Sequence, residues 1–191
     1  MKLTTAAPLP ATLNDLFLLA MMLTMAAILT TAMILQFYGG EIPCPLCLLQ
    51  RVGMFGACFG VILHFRHGYS ARNDGVSMLF ALFLLIVSTR QTLLDIYPRP
   101  GHNYIGSAML GLHMPVWSVL IAIAILLAFA IKLAVLGAPV GDPQPSPALG
   151  RLARLLILYV IALGLINFGS VILQCGIDAC HTSGYRLLGG S

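Results

Sequence analysis

Long uncharged apolar runs recur along this chain, and they leave few folds open to it. Leu16–Phe37 contains no charged residue, and a helix needs roughly 20 apolar residues to cross a bilayer. The runs Leu46–Phe65, Gly75–Ile96, Pro115–Leu136 and Leu155–Leu173 read the same way, interrupted only by Arg51, Arg90, Asp95 and Lys132. In lipid each backbone N–H and C=O must be satisfied internally, so runs of this length fold as helices. A soluble domain is about 25% charged, whereas this chain of 191 residues is 8% charged and 59% hydrophobic. No stretch is left to form a separate soluble domain. The lead-in to the first run carries only Lys2 and Asp15, which predicts an uncleaved transmembrane helix rather than a signal peptide.

The expected fold is therefore all-α, a polytopic membrane helical bundle of five spans forming a single membrane domain over 1–191. Between the fourth and fifth spans, the prolines and glycines of GAPVGDPQPSP mark a loop within 137–150. Lysine and arginine in the short loops set the orientation. Lys2, Arg66, Arg72, Lys132, Arg151 and Arg154 fall on one side, and Arg99 and Arg186 on the other, joined by Arg51 and Arg90 if those count as loop residues. That distribution predicts a cytoplasmic N-terminus and an external C-terminus. Lys132 is expected to snorkel to the interface. The net charge of +4 bears on orientation within a lipid bilayer, since no basic patch interleaved with aromatics points to nucleic acid.

The chemistry concentrates in EIPCPLCLLQR, residues 41–51. A Cys-x-x-Cys pair at a helix start meets free N–H groups and a partial positive charge, which stabilise a thiolate. Pro43 and Pro45 suit the approach and the first turn. Arg51 lies four residues beyond Cys47, on the same helical face and one turn deeper. Arginine at that depth costs roughly 2.5–3.5 kcal/mol on insertion scales, so it needs a partner or a ligand. A structural staple or a zinc half-site is the plainer reading of the cysteines. A staple leaves Arg51 unexplained, and zinc needs about four ligands. No metal site is expected.

PCPLCLLQR resembles the Cys-x-x-Cys-x-x-x-Arg signature of the disulfide bond formation protein B (DsbB) family. LLDIYPRP (93–100) and GLHMPVW (111–117) extend the resemblance to a four-helix DsbB-like core over 14–136, followed by the loop 137–150 and a fifth transmembrane helix with its tail over 151–191. The resemblance implies a multi-pass protein of the bacterial inner membrane, with the C-terminus periplasmic. It implies a quinone-dependent protein-disulfide oxidoreductase that reoxidises a periplasmic thioredoxin-like, DsbA-like thiol oxidase and passes electrons to ubiquinone or menaquinone. Cys44 and Cys47 match the family's quinone-proximal pair, Arg51 its quinone-contacting arginine, and Gln91 a position near the quinone. Arg90, at similar depth, is added here as a second candidate quinone contact, against a plainer role as interfacial anchor.

One departure stands out. The family carries a second cysteine pair between spans three and four, and Tyr97–Pro115 contains no cysteine. The tail QCGIDACHTSGYRLLGGS instead carries Cys175 and Cys180, on the same side as Cys44 and Cys47. These are expected to form the outer redox pair, with a staple closing a small loop as the alternative. Cys58 sits mid-span among Gly53, Gly56 and Gly60 and reads as packing filler. His64 and His67 flank the far end of span two, and His102 and His113 lie in the outer loop. Ile105, Met109 and Leu112 recur at helical spacing, which predicts a short segment on the membrane surface. The rival classes are a non-catalytic membrane protein with metal-binding or structural cysteines, and a vitamin K epoxide reductase-like enzyme. The latter places its Cys-x-x-Cys in a late helix rather than at the start of the second.

Overall fold

The computed structural model describes residues 9–96, 108–136, 147–176 and 185. Five helices hold nearly all of them: α1 (Leu9–Phe37), α2 (Pro45–His67), α3 (Ala71–Ile96), α4 (Met114–Leu136) and α5 (Pro147–Cys175). Each is long and apolar enough to cross a membrane, so the chain is an all-α membrane helical bundle. A small antiparallel hairpin, β1 (Ala108–Met109) and β2 (Leu112–His113), precedes α4.

Glycine sets the closest helix contact. Gly53, Gly56 and Gly60 line the face of α2 that meets α3. A Cβ at Gly53 would lie 2.9 Å from the Leu84 Cβ, and at Gly56 and Gly60 it would overlap Phe80 and Ser77. Apolar tails compete with apolar side chains in lipid, so close packing of small residues drives helix association there. Ser77 is buried in this seam and donates to the Ala57 carbonyl at 2.8 Å. Cys58 is a free, fully buried thiol in the same stretch. Beyond the seam α3 packs on α4, while α5 lies against α1 and α2. Leu18, Met22, Val61, Leu84, Phe129 and Leu163 build the shared core. Leu23, Leu79, Ile86, Leu158 and Leu165 point outward, as a lipid-facing surface requires.

Several expectations are corrected. Lys132 does not snorkel: it is 4% exposed, and its Nζ lies 2.7 Å from both carboxylate oxygens of Asp74. The Tyr69 and Phe129 rings flank it, with centroids at 5.1 and 5.5 Å. A carboxylate at the same depth on α3 gives the ammonium an opposite charge that its own helix does not supply. At the same end of the bundle α1 starts early enough to include Asp15, whose carboxylate accepts from His64 Nε2 at 3.0 Å. Met109 and Leu112 do not share a helix face. They pair across the hairpin, whose turn residues Leu110 and Gly111 have φ of 53° and 78°. Positive φ at both positions matches the twist of a two-residue hairpin. Ile105 lies outside the described residues. α5 begins at Pro147 and so takes in the last residues of the expected loop, with Arg151 and Arg154 exposed. Residues 137–146 lie outside the described residues.

Candidate active site

The thiol pair opens α2 because its residues suit a helix start. Cys44 has extended backbone (φ −73°, ψ 163°), and its Sγ caps the helix by accepting from the Cys47 N–H at 3.1 Å. Pro45 follows at the first helical position, where a missing N–H costs nothing. The Leu48 N–H then makes the first helical bond to the Cys44 carbonyl, at 3.0 Å. Both thiols are free; Cys44 is buried and Cys47 half-buried. Just outside the span, the Cys44 thiol has its pKa pushed above the ordinary thiol value, first by its hydrogen bond with the Cys47 side chain and then by burial. Cys44 is thereby the member of the pair that keeps its proton.

Side-chain amides converge on the two sulfurs. Gln91 of α3 points its Nε2 at Cys44 Sγ (3.4 Å) and Cys47 Sγ (3.5 Å). Its Oε1 accepts from Gln50 Nε2 at 2.8 Å, and Gln50 Oε1 accepts from the Ser118 hydroxyl of α4 at 3.0 Å. The chain Ser118–Gln50–Gln91 thus ties α4, α2 and α3 together and aims a donor at the sulfurs. An amide N–H there favours negative charge on whichever sulfur loses its proton.

Arg51 is 8% exposed, and among the described residues none of its partners is a carboxylate. Its Nη1 donates to Gln36 Oε1 (2.5 Å), Asn167 Oδ1 (3.1 Å) and Met33 Sδ (3.3 Å). Its Nη2 donates to the Ala32 carbonyl at 3.2 Å. Gln36 Nε2 in turn donates to the Tyr185 hydroxyl at 2.9 Å. The guanidinium is therefore well hydrogen-bonded, with no carboxylate among the described residues to cancel its charge.

Of the sequence-derived candidates, Cys44, Cys47 and Gln91 are in contact, and Arg51 lies one turn deeper on the face of Cys47. Arg90 is exposed and makes no hydrogen bond or ion pair among the described residues. Adjacent helical residues point about 100° apart, so Gln91 and Arg90 cannot both face inward. Cys175 is buried at the end of α5 and disulfide-bonded. Its neighbour Gln174 donates to the Pro43 carbonyl at 2.8 Å, which brings the end of α5 beside the approach to Cys44. Cys180 and His102 lie outside the described residues. Gln36, Gln50, Ser118, Asn167 and Gln174 were not among the candidates. Their signal was available as isolated side-chain polar groups in apolar runs, where each needs a partner.

Among the described residues, a free thiol pair at a helix mouth lies one turn from a buried arginine with no carboxylate partner, an arrangement suited to thiol-redox chemistry at a membrane. The family model for disulfide bond formation protein DsbB matches residues 14–103. Disulfide bond formation protein B of Azoarcus sp. (strain BH72) is 36% identical over 108 residues, covering 50% of this chain and 63% of that relative's length. These matches make residues 14–103 similar to the DsbB family, and the chain spans less than two thirds of that relative's length. No solved structure matches it. Neither α4 nor α5 falls within the family-matched segment.

Proposed function

We propose that this chain is a membrane thiol-disulfide oxidoreductase that reoxidises a periplasmic thioredoxin-like thiol oxidase and passes the electrons to ubiquinone or menaquinone. The observation that carries this reading is Arg51, a buried cation without a carboxylate partner among the described residues, on the same face as Cys47. Such a charge favours electron density arriving at a carbonyl oxygen beside it.

The residues present fit a quinone. Cys47 is half-buried rather than sealed, and Arg51 Nε makes no hydrogen bond among the described residues, which leaves an N–H for a carbonyl oxygen. When bound, a quinone supplies an acceptor for two electrons and two protons. The Cys44 and Cys47 thiols lose two electrons and two protons in closing their disulfide. Gln91 steadies the sulfur that ionises first, and Cys44 keeps its proton longest.

Upstream, Cys175 and Cys180 are proposed as the outer pair. A partner thiolate attacks their disulfide to give a mixed disulfide, and the partner's second thiol resolves it. The reduced tail pair then reduces a Cys44–Cys47 disulfide by the same exchange, so electrons are conserved at each step. Cys175 is disulfide-bonded, and the Gln174–Pro43 hydrogen bond brings the end of α5 beside the approach to Cys44; both features support this route. The cycle needs the C-terminus in the periplasm and the N-terminus in the cytoplasm, as the loop charges predict.

The test uses purified protein with decylubiquinone as acceptor and either the reduced soluble oxidase or a small dithiol as donor. Wild type should turn over with both donors. Cys175→Ala combined with Cys180→Ala should lose the protein donor and keep the dithiol. A wild type that reduces no quinone with either donor refutes the reading.

A further inference from the structure

Asn167 sits in a setting that only a polar partner explains. It is 6% exposed, while its neighbours Leu165, Ile166 and Phe168 are 68%, 52% and 64% exposed on the outer surface of α5. One amide therefore turns inward from a helix that otherwise offers apolar side chains to lipid. Its Oδ1 accepts from Arg51 Nη1 at 3.1 Å. Guanidinium has donors and no acceptor, so the amide can meet it only through oxygen. The Ser170 hydroxyl donates to the Asn167 backbone carbonyl at 2.7 Å, a local bond on the same helix.

From the opposite helix, α1, Gln36 accepts from the same Nη1, and the Ala32 carbonyl holds Nη2. A planar fork gripped from two helices keeps its orientation; gripped from one, it can tip about the remaining bonds. α5 makes a second contact nearby, through Gln174 and the Pro43 carbonyl. It therefore touches both the arginine and the approach to the thiol pair.

We propose that Asn167 is the positioning residue for Arg51, and that α5 is a working part of the redox site rather than an added anchor. The proposal rests on the quinone reading for its functional consequence, but not for its structural one.

The test has two arms on full-length protein, comparing Asn167→Leu, which matches the volume and lacks the acceptor, with Asn167→Gln, which keeps it. In the first arm phenylglyoxal modifies arginine, and mass spectrometry follows Arg51. Labelling should rise about tenfold in Asn167→Leu, the order expected for losing a hydrogen bond to a charged group. It should stay near wild type in Asn167→Gln. In the second arm the KM for decylubiquinone should rise about tenfold in Asn167→Leu, with kcat for dithiol oxidation changed less and Asn167→Gln restoring the KM. Unchanged Arg51 labelling in Asn167→Leu overturns the positioning role, whatever the quinone kinetics show. Raised labelling with an unchanged KM overturns the claim that α5 works in the site. If wild type reduces no quinone, the parent reading falls, and the labelling arm still decides whether Asn167 positions Arg51.

Discussion

Gln50 donates to Gln91 Oε1 at 2.8 Å, and that bond decides which way the Gln91 amide faces. With Oε1 held by Gln50, the Gln91 Nε2 faces both sulfurs at 3.4 and 3.5 Å, while the Cys47 thiol also reaches Oε1 at 4.0 Å. Gln91→Glu would place a carboxylate against a sulfur that must become anionic. It should slow iodoacetamide modification of the thiol pair at least tenfold at neutral pH, because like charge disfavours ionisation. Gln50→Leu should slow it less, by freeing Gln91 to turn. Equal alkylation rates in wild type and Gln91→Glu would remove the amide from the chemistry.

Cys44 and Cys47 should behave differently towards alkylation. The Cys44 pKa lies above the ordinary thiol value, so its thiolate fraction stays small well past neutral pH. From about pH 6 to about pH 8, limited iodoacetamide should therefore label Cys47 ahead of Cys44, since the thiolate is the nucleophile. Peptide mapping reads the ratio directly. Preferential labelling of Cys44 across that range would reverse the assignment.

Either Cys44→Ser or Cys47→Ser should abolish quinone reduction while the protein still inserts and purifies. Turnover surviving in both variants would mean that electrons leave by another route.

Arg51→Lys should impair quinone use almost as much as Arg51→Ala. An ammonium has no planar fork to meet acceptors on α1 and α5 together. The expected change is a KM for decylubiquinone raised roughly tenfold or more, with small-dithiol exchange at Cys44 and Cys47 less affected. An unaltered KM in Arg51→Ala would leave the arginine as a structural tie between helices.

At the far end of α2, Asp74 and Lys132 form a buried ion pair whose side chains are each 2% exposed. Removing one partner leaves an uncompensated charge, which costs about 3–5 kcal/mol. Asp74→Asn and Lys132→Met should each lower the unfolding temperature in detergent, and Asp74→Leu with Lys132→Met should recover much of the loss. Thiol alkylation should not change in the double variant, since the ion pair and the thiols lie roughly 25 Å apart along α2. Recovery no better than in the single variants would show that the pair does more than balance charge.

What the sequence disclosed, and what it hid, follows from the range of each signal. The five spans were legible because an apolar run is a local property. Cys44, Cys47 and Arg51 were legible because their spacing sits within two turns of one helix. Their partners were not. Whether Arg51 meets Gln36, Asn167 or a lipid depends on the rotation and depth of α1 and α5, which no local pattern specifies. Lys132 was misread for the same reason: its place near a span end implied the interface, while Asp74 on another helix decided the outcome. Gln91 and Arg90 are adjacent, and only packing tells which of them faces the bundle.

The order of the helices gives the Arg51–Asn167 contact a consequence in time. The two residues are 116 positions apart. At about 5–20 residues per second, synthesis of Asn167 follows that of Arg51 by roughly 6–23 s. During that interval the guanidinium has only α1 to hold it, through Gln36, Met33 and the Ala32 carbonyl. The arginine site is therefore completed late, and a chain stalled before α5 would expose an under-bonded cation to lipid.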